Sequence, residues 1–168
     1  MRYLLFIAII FIFPSSSRGQ SIDKLDKANG FKEFKFGKTK ERWDGELKAL
    51  KNGAYRYTGK NALAAFGSSI HKIYLKFDTA GQLSGVYISV QGLIGKSGVK
   101  NYKRIISLAY GKENKEEEKD DALTYYWHAS KVNLVLYSWA AGSTWDAELH
   151  FTNPEQYAAD NKQAAGKE

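Results

Sequence analysis

From residue 70 to residue 91 apolar and polar positions alternate with period two. Ile73, Leu75 and Phe77 fall on one phase, with Lys72, Tyr74 and Lys76 on the other. Val86, Ile88 and Val90 then alternate with Tyr87, Ser89 and Gln91. Side chains of a strand point alternately to its two faces, so the pattern predicts strands over 70–77 and 83–91. The intervening Asp78-Thr79-Ala80-Gly81-Gln82 offers a glycine for the positive φ of a hairpin. Similar stretches predict strands over 55–58, 123–128, 132–139 and 144–151, and Phe34 and Phe36 mark a short one ending at Gly37. In the later strands Val132, Leu134 and Leu136 share one face, as do Trp145, Ala147, Leu149 and Phe151.

Two segments carry helical spacing instead. Trp43, Leu47 and Leu50 follow i, i+4, i+7 behind Thr39, a natural cap, and Asn52-Gly53 would stop that helix. Gly45 weakens it by about 1 kcal/mol relative to alanine. Tyr102, Ile105, Ile106 and Ala109 form the stripe of a second helix from Ser97, its expected cap, to Tyr110, closed by Gly111. Residues 112–121 are a mixed-charge run and read as a solvated connector.

The order is helix, three strands, helix, three strands, which suggests a duplicated α-β-β-β unit. Such an order resolves into an α+β fold, an antiparallel sheet with its helices packed on one face and the other face open. Trp43, Ile73, Leu75, Val86, Ile88, Ile105, Leu134, Leu136 and Leu149 are the expected core. Residues 31–152 make one domain, behind a polar lead-in over 20–30. Residues 153–168 read as a frayed helix or a loose polar tail.

The first nineteen residues have a different character. Arg2 is followed by an unbroken apolar run from Tyr3 to Phe13, then by Pro14 and three serines. Ser17 and Gly19 are small residues placed for cleavage before Gln20, so 1–19 read as a secretory signal peptide. Its apolar run is too short for the ~20 residues a membrane-spanning helix needs. Cleavage would leave about 150 residues, enough to bury about two-thirds of the unfolded surface in one core.

Loss of Arg2 and Arg18 would take the formal charge from +7 to +5. The lysines are scattered among acids, unlike the basic stripe of a nucleic-acid binder. Cysteine is absent, which excludes catalytic thiols, cysteine metal sites, disulfides and thioether lipidation.

The run Gly30-Phe31-Lys32-Glu33-Phe34-Lys35-Phe36-Gly37-Lys38-Thr39-Lys40-Glu41 is similar to the opening of a recurrent pattern in exported bacterial domains. Ile73-Tyr74-Leu75-Lys76-Phe77, Leu83 through Ile88, Ala109-Tyr110-Gly111, Tyr125-Tyr126-Trp127 and Leu134-Val135-Leu136-Tyr137 extend the match over about residues 30–152. The whole resembles domains with the architecture of the β-lactamase inhibitor protein and of the small lipoprotein of the outer-membrane barrel assembly machine. The resemblance implies a domain that binds other proteins and catalyses nothing. This chain departs from both relatives, since it has no cysteine for the lipid of one or the disulfides of the other.

Few residues invite catalysis. Asp146, Glu148 and His150 lie on one face of a strand and could hold a metal or move a proton. Spaced i, i+2, i+4, however, they span about 13 Å of extended chain. The alternating Ala147 and Leu149 mark them as the polar face of an amphipathic strand. Gly92 to Ser97 contains Gly-Lys-Ser without the glycine spacing of a phosphate loop. His128, His71, Ser68 and Ser69 have no Gly-x-Ser-x-Gly elbow around them.

The outward phase holds Tyr74, Tyr87, Tyr137 and Trp139, with Lys72, Lys76 and Lys131 among them. Tyrosine and tryptophan are enriched in protein-binding surfaces. The expectation is an exported, non-enzymatic binding domain that docks another exported or envelope protein through its open sheet face, as an inhibitor or accessory factor. It needs no cofactor or metal, binds no nucleic acid, and has no membrane span after signal cleavage. The alternatives are a carbohydrate- or small-ligand-binding domain using the same aromatics, and a hydrolase built on Glu148 and His150.

Overall fold

The computed structural model describes residues 22–61 and 64–166. The expected signal segment and the cleavage point before Gln20 lie outside the described residues. The chain begins with α1 (Asp23–Ala28), β1 (Gly30–Phe31), β2 (Phe34–Lys35) and a 3-10 turn (Lys40–Trp43). The first half of the sheet follows as β3 (Leu47–Ala49), β4 (Tyr55–Tyr57), β5 (Ala64–Ala65), β6 (Ser68–Phe77) and β7 (Leu83–Leu93). After α2 (Gly95–Tyr110) come β8 (Lys115–Lys119), β9 (Ala122–His128), β10 (Asn133–Ala141), β11 (Thr144–Thr152) and finally α3 (Pro154–Ala165).

The strands form an antiparallel sheet in the order β3-β4-β6-β7-β11-β10-β9-β8, with β5 paired to the start of β6. It consists of two meanders set back to back, the last strand of each meeting at the centre, where β7 pairs with β11. The expected α+β class and antiparallel sheet are therefore present. Beyond the three strands read for each half, the first contributes β3 and the short β5, and the second contributes β8.

Alternation decides which residues go inward. Ile73 faces Ile88 and Leu75 faces Val86 across β6 and β7, and Leu149 pairs with both Ile88 and Leu136. These residues and Leu134 are at most 4% exposed. On this inner face pack Leu25 from α1, Phe31 and Phe34 from the β1–β2 hairpin, Trp43, and the stripe Val99, Tyr102, Ile106 of α2. Ile106 is buried and the expected core residue Ile105 only half-buried, because the i, i+3, i+7 stripe from Val99 points its neighbour sideways. The Trp127 indole N–H donates to the Gly111 carbonyl at 2.9 Å and ties the end of α2 to β9.

Three expectations are corrected. The helix over 39–50 is only the 3-10 turn, followed by strand β3. Gly45 sits at φ +74°, which no right-handed helix can contain. Trp43 reaches the core from the turn, and Thr39 makes no side-chain cap bond. The charged run 112–121 contains edge strand β8, exposed at every position and held by pairing to β9. Charged side chains on such an edge discourage further strand addition.

The third correction concerns the outer face, expected to be open, because the C-terminal segment, read as a frayed helix or a loose tail, is the helix α3. Asn153 caps α3 by accepting from the Gln156 N–H at 2.8 Å, with Pro154 in the first turn. α2 lies on the inner face as expected of the helices, and so does α1, formed by residues read as a polar lead-in, with Leu25 in the core. α3 crosses the outer face, which is therefore only partly open. Among the described residues no helix is long and apolar enough to cross a membrane.

Candidate functional site

Antiparallel register assembles the outer face into cross-strand rows. One row runs Arg56–Tyr74–Tyr87–His150–Val135–Tyr126 over β4, β6, β7, β11, β10 and β9. The adjacent row runs Lys72–Ser89–Glu148–Tyr137–Thr124. Residues opposite one another have Cβ atoms about 5 Å apart, so their side chains interact directly.

His150 is the centre of this arrangement. Its ring lies between those of Tyr87 and Tyr137, with centroids 4.8 Å away on each side. Its Nε2 is 3.0 Å from Glu148 Oε2. The hydrogen bond from His150 holds the Glu148 carboxyl below the usual range against the opposing effect of burial. An ionised carboxylate only accepts, so the Nε2 carries the proton of this bond. Tyr87 leans over Gly85, where a Cβ would come within 2.7 Å of the ring. Glycine is required there by close approach.

α3 closes one side of the site through Asp160. Its Oδ1 is 2.8 Å from Lys76 Nζ, and its Oδ2 accepts from the Tyr87 hydroxyl. Gln156 supports the same carboxylate at 2.7 Å and accepts from the Ser84 hydroxyl at 3.0 Å. Burial raises the Asp160 pKa, but the donors from Lys76, Tyr87 and Gln156 outweigh it and hold the carboxyl below its ordinary value. Burial, then the bond to Asp160, pushes the Tyr87 phenol up, and burial does the same for Tyr137. Both remain neutral hydroxyls at physiological pH. Farther along, the Tyr157 ring packs 5.1 Å from that of His128.

Beside α3 the face opens into a hollow of about 340 Å³. Tyr74, Tyr87, Lys76, Glu148 and His150 line it, and Leu50 and Asn52 of the β3–β4 turn form its far wall. A second hollow of about 270 Å³ runs beneath the last turns of α3 and shares Lys76, Tyr87 and His150 with the first, adding Tyr137. The arrangement offers tyrosine surface, hydroxyl donors and two internally paired charges at an open groove.

Of the residues singled out from the sequence, Tyr74, Tyr87, Tyr137 and Lys76 come together here. Lys72 lies on the same face beside Arg56 in a smaller hollow of about 80 Å³. Trp139 stands toward the opposite end of the sheet, across from Asp146, and is 39% exposed. Lys131 sits in the β9–β10 turn, where its backbone N–H is bound by Asp26.

The candidate metal or proton-transfer trio divides. Asp146 accepts from the Gly92 N–H at 3.4 Å while Glu148 bonds His150. No three His, Asp or Glu among the described residues are placed to hold a metal. Ser97 does not cap α2, and its hydroxyl instead donates to the Ile94 carbonyl at 3.4 Å. Sequence reasoning missed Asp160 altogether, although Asn153-Pro154 is a helix-start signal that could have directed attention to α3.

No family model matches this chain, and neither a curated protein nor a solved structure does.

Proposed function

We propose that the protein is an exported, non-enzymatic binding domain that docks a protein partner through the outer face of its sheet, as an inhibitor or envelope accessory factor. The observation that carries this reading is the tyrosine-walled hollow that the β3–β4 turn borders on the outer face. The inner face is filled by helices and the β1–β2 hairpin, whereas this half of the outer face is uncovered. Tyrosines anchored on a rigid sheet present large amphipathic surface at little cost in side-chain entropy. The family resemblance of the sequence points the same way, and the signal-like first nineteen residues put the partner in the periplasm or outside the cell.

The test is capture of partners from envelope extract by the wild-type protein and by Tyr74→Ala, with melting curves in parallel. Tyr74 is the cleaner probe because Tyr87 also anchors α3. The expected result is an unchanged melting temperature with affinity reduced roughly thirtyfold, as for an interface hot spot. Undiminished capture by a stable Tyr74→Ala protein overturns the proposal. A turnover that Glu148→Gln abolishes would instead assign the function to the Glu148–His150 pair.

A further inference from the structure

Asp160 demonstrates, within this molecule, how the outer face takes a carboxylate. Lys76 supplies the charge at 2.8 Å, Tyr87 supplies a hydroxyl donor, and the lysine ammonium sits 5.1 Å above the tyrosine ring centroid. The carboxylate arrives from a helix with no buried residue, so the polar couple is a main part of its attachment.

One strand over, a second tyrosine stands among cations that pair with no acid of the described residues. Tyr74 is directly opposite Tyr87. Lys72 is its neighbour on the same face of β6, Arg56 faces it from β4, and Lys48 faces Arg56 from β3. Arg56 and Lys48 are exposed. Among the described residues, Lys48, Arg56 and Lys72 enter no ion pair. Glu148, the acid two strands from Lys72 in the same row, is bound to His150. This half of the face therefore combines a tyrosine with three cations lacking acidic partners, next to an open hollow.

We propose that the Lys48–Arg56–Tyr74–Lys72 surface binds an acidic polypeptide segment of the partner, laid beside α3 with its carboxylates on Arg56 and Lys72. The inference rests on the reading that the outer face docks a protein, and it adds the partner's chemistry. Arginine presents two parallel N–H donors matched to a carboxylate, and its charge is never lost to deprotonation. The patch spans three strands, about 10 Å. That width suits one peptide segment, whereas a phosphate backbone calls for a longer basic track. A carboxylate is also what the molecule's own α3 already places on the neighbouring couple.

The experiment titrates the full-length mature protein into a short fluorescein-labelled glutamate-rich peptide and follows anisotropy, with a lysine-rich peptide and a heparin oligosaccharide as comparison probes. The expected result is binding of the glutamate-rich peptide alone. Arg56→Glu and Lys72→Glu should each weaken it at least about tenfold, and Arg56→Lys by less. Lys119→Glu, on the opposite sheet edge, should leave it unchanged. Melting curves of each variant establish that the fold is retained, and Arg56→Gln provides a milder change if a reversal unfolds the protein.

Absence of peptide binding overturns the inference. So does equal weakening by Lys119→Glu, or heparin binding as tight as the peptide's, because both mean general attraction of polyanions. Failure of the two readings is distinguishable. A captured partner that is sensitive to Tyr74→Ala but indifferent to Arg56→Glu removes the acidic segment and keeps the docking face. Indifference to Tyr74→Ala removes the docking face itself.

Discussion

Lys76 on β6 and Asp160 on α3 form an ion pair of 2.8 Å across 84 residues of sequence. It anchors a helix that has no buried residue to the face of the sheet used for the proposed docking. A helix of this length is marginal alone in water, so its position depends on a few polar contacts.

Asp160→Ala should release α3 while leaving the sheet folded. Losing charge-assisted bonds at a partly exposed site costs about 1–2 kcal/mol. Amide exchange over residues 154–165 should accelerate roughly tenfold, with β7 and β11 protected as before. The pH dependence follows from the direction of the shift. The folded-state pKa is depressed, so the anchorage is complete above about pH 4, the ordinary carboxyl value, and is lost as pH falls through the lower folded-state value. Exchange measured down a pH series, corrected for its intrinsic rate, checks both statements.

Asp26 fastens α1 to the β9–β10 turn. Its carboxylate accepts from the N–H groups of Ser130, Lys131 and Val132 at 3.0, 2.7 and 3.1 Å, and from the Ser130 hydroxyl. Burial opposes ionisation, but the four donors together outweigh it and lower the carboxyl pKa. Asp26→Ala should therefore destabilise the domain by about 1–2 kcal/mol at neutral pH. Stability from this contact is present above about pH 4 and declines below it. Urea denaturation at pH 7 and pH 3 should give a smaller difference between wild type and variant at the lower pH.

Gly45→Ala distinguishes the 3-10 turn from a continuous helix. In a helix interior the substitution would stabilise by about 1 kcal/mol. At φ +74° it should instead destabilise by about that amount, since a Cβ disfavours the left-handed region. A raised denaturation midpoint would restore the helix.

The core assignment is tested by paired truncations. Leu134→Ala and Ile106→Ala remove side chains with 0% exposure and should each cost about 2–5 kcal/mol. Ile105→Ala, on the half-buried flank of α2, should cost clearly less. Chemical denaturation of the three variants measures the order, and equal losses at 105 and 106 would shift the buried stripe of α2.

Period-two alternation settled much of this molecule in advance. It placed Ile73, Leu75, Val86 and Ile88 inward and Tyr74, Tyr87 and Tyr137 outward, because a strand leaves each side chain only two directions. It was silent on partners across the sheet. That His150 would lie between Tyr87 and Tyr137 depends on β7, β11 and β10 being adjacent and in a particular register, a relation between segments far apart in sequence.

β8 was hidden for a different reason. Lys-Glu-Glu-Glu-Lys has no apolar phase, and only backbone pairing to β9 makes it a strand. At Gly45 the composition allowed a helix, and the sign of one φ angle excluded it. α3 is the decisive case. Its cap was legible at Asn153-Pro154, but a helix without a buried stripe carries no hydrophobic signal of the surface it meets. Only the folded sheet, by bringing Lys76 beside Tyr87, created the place where Asp160 binds.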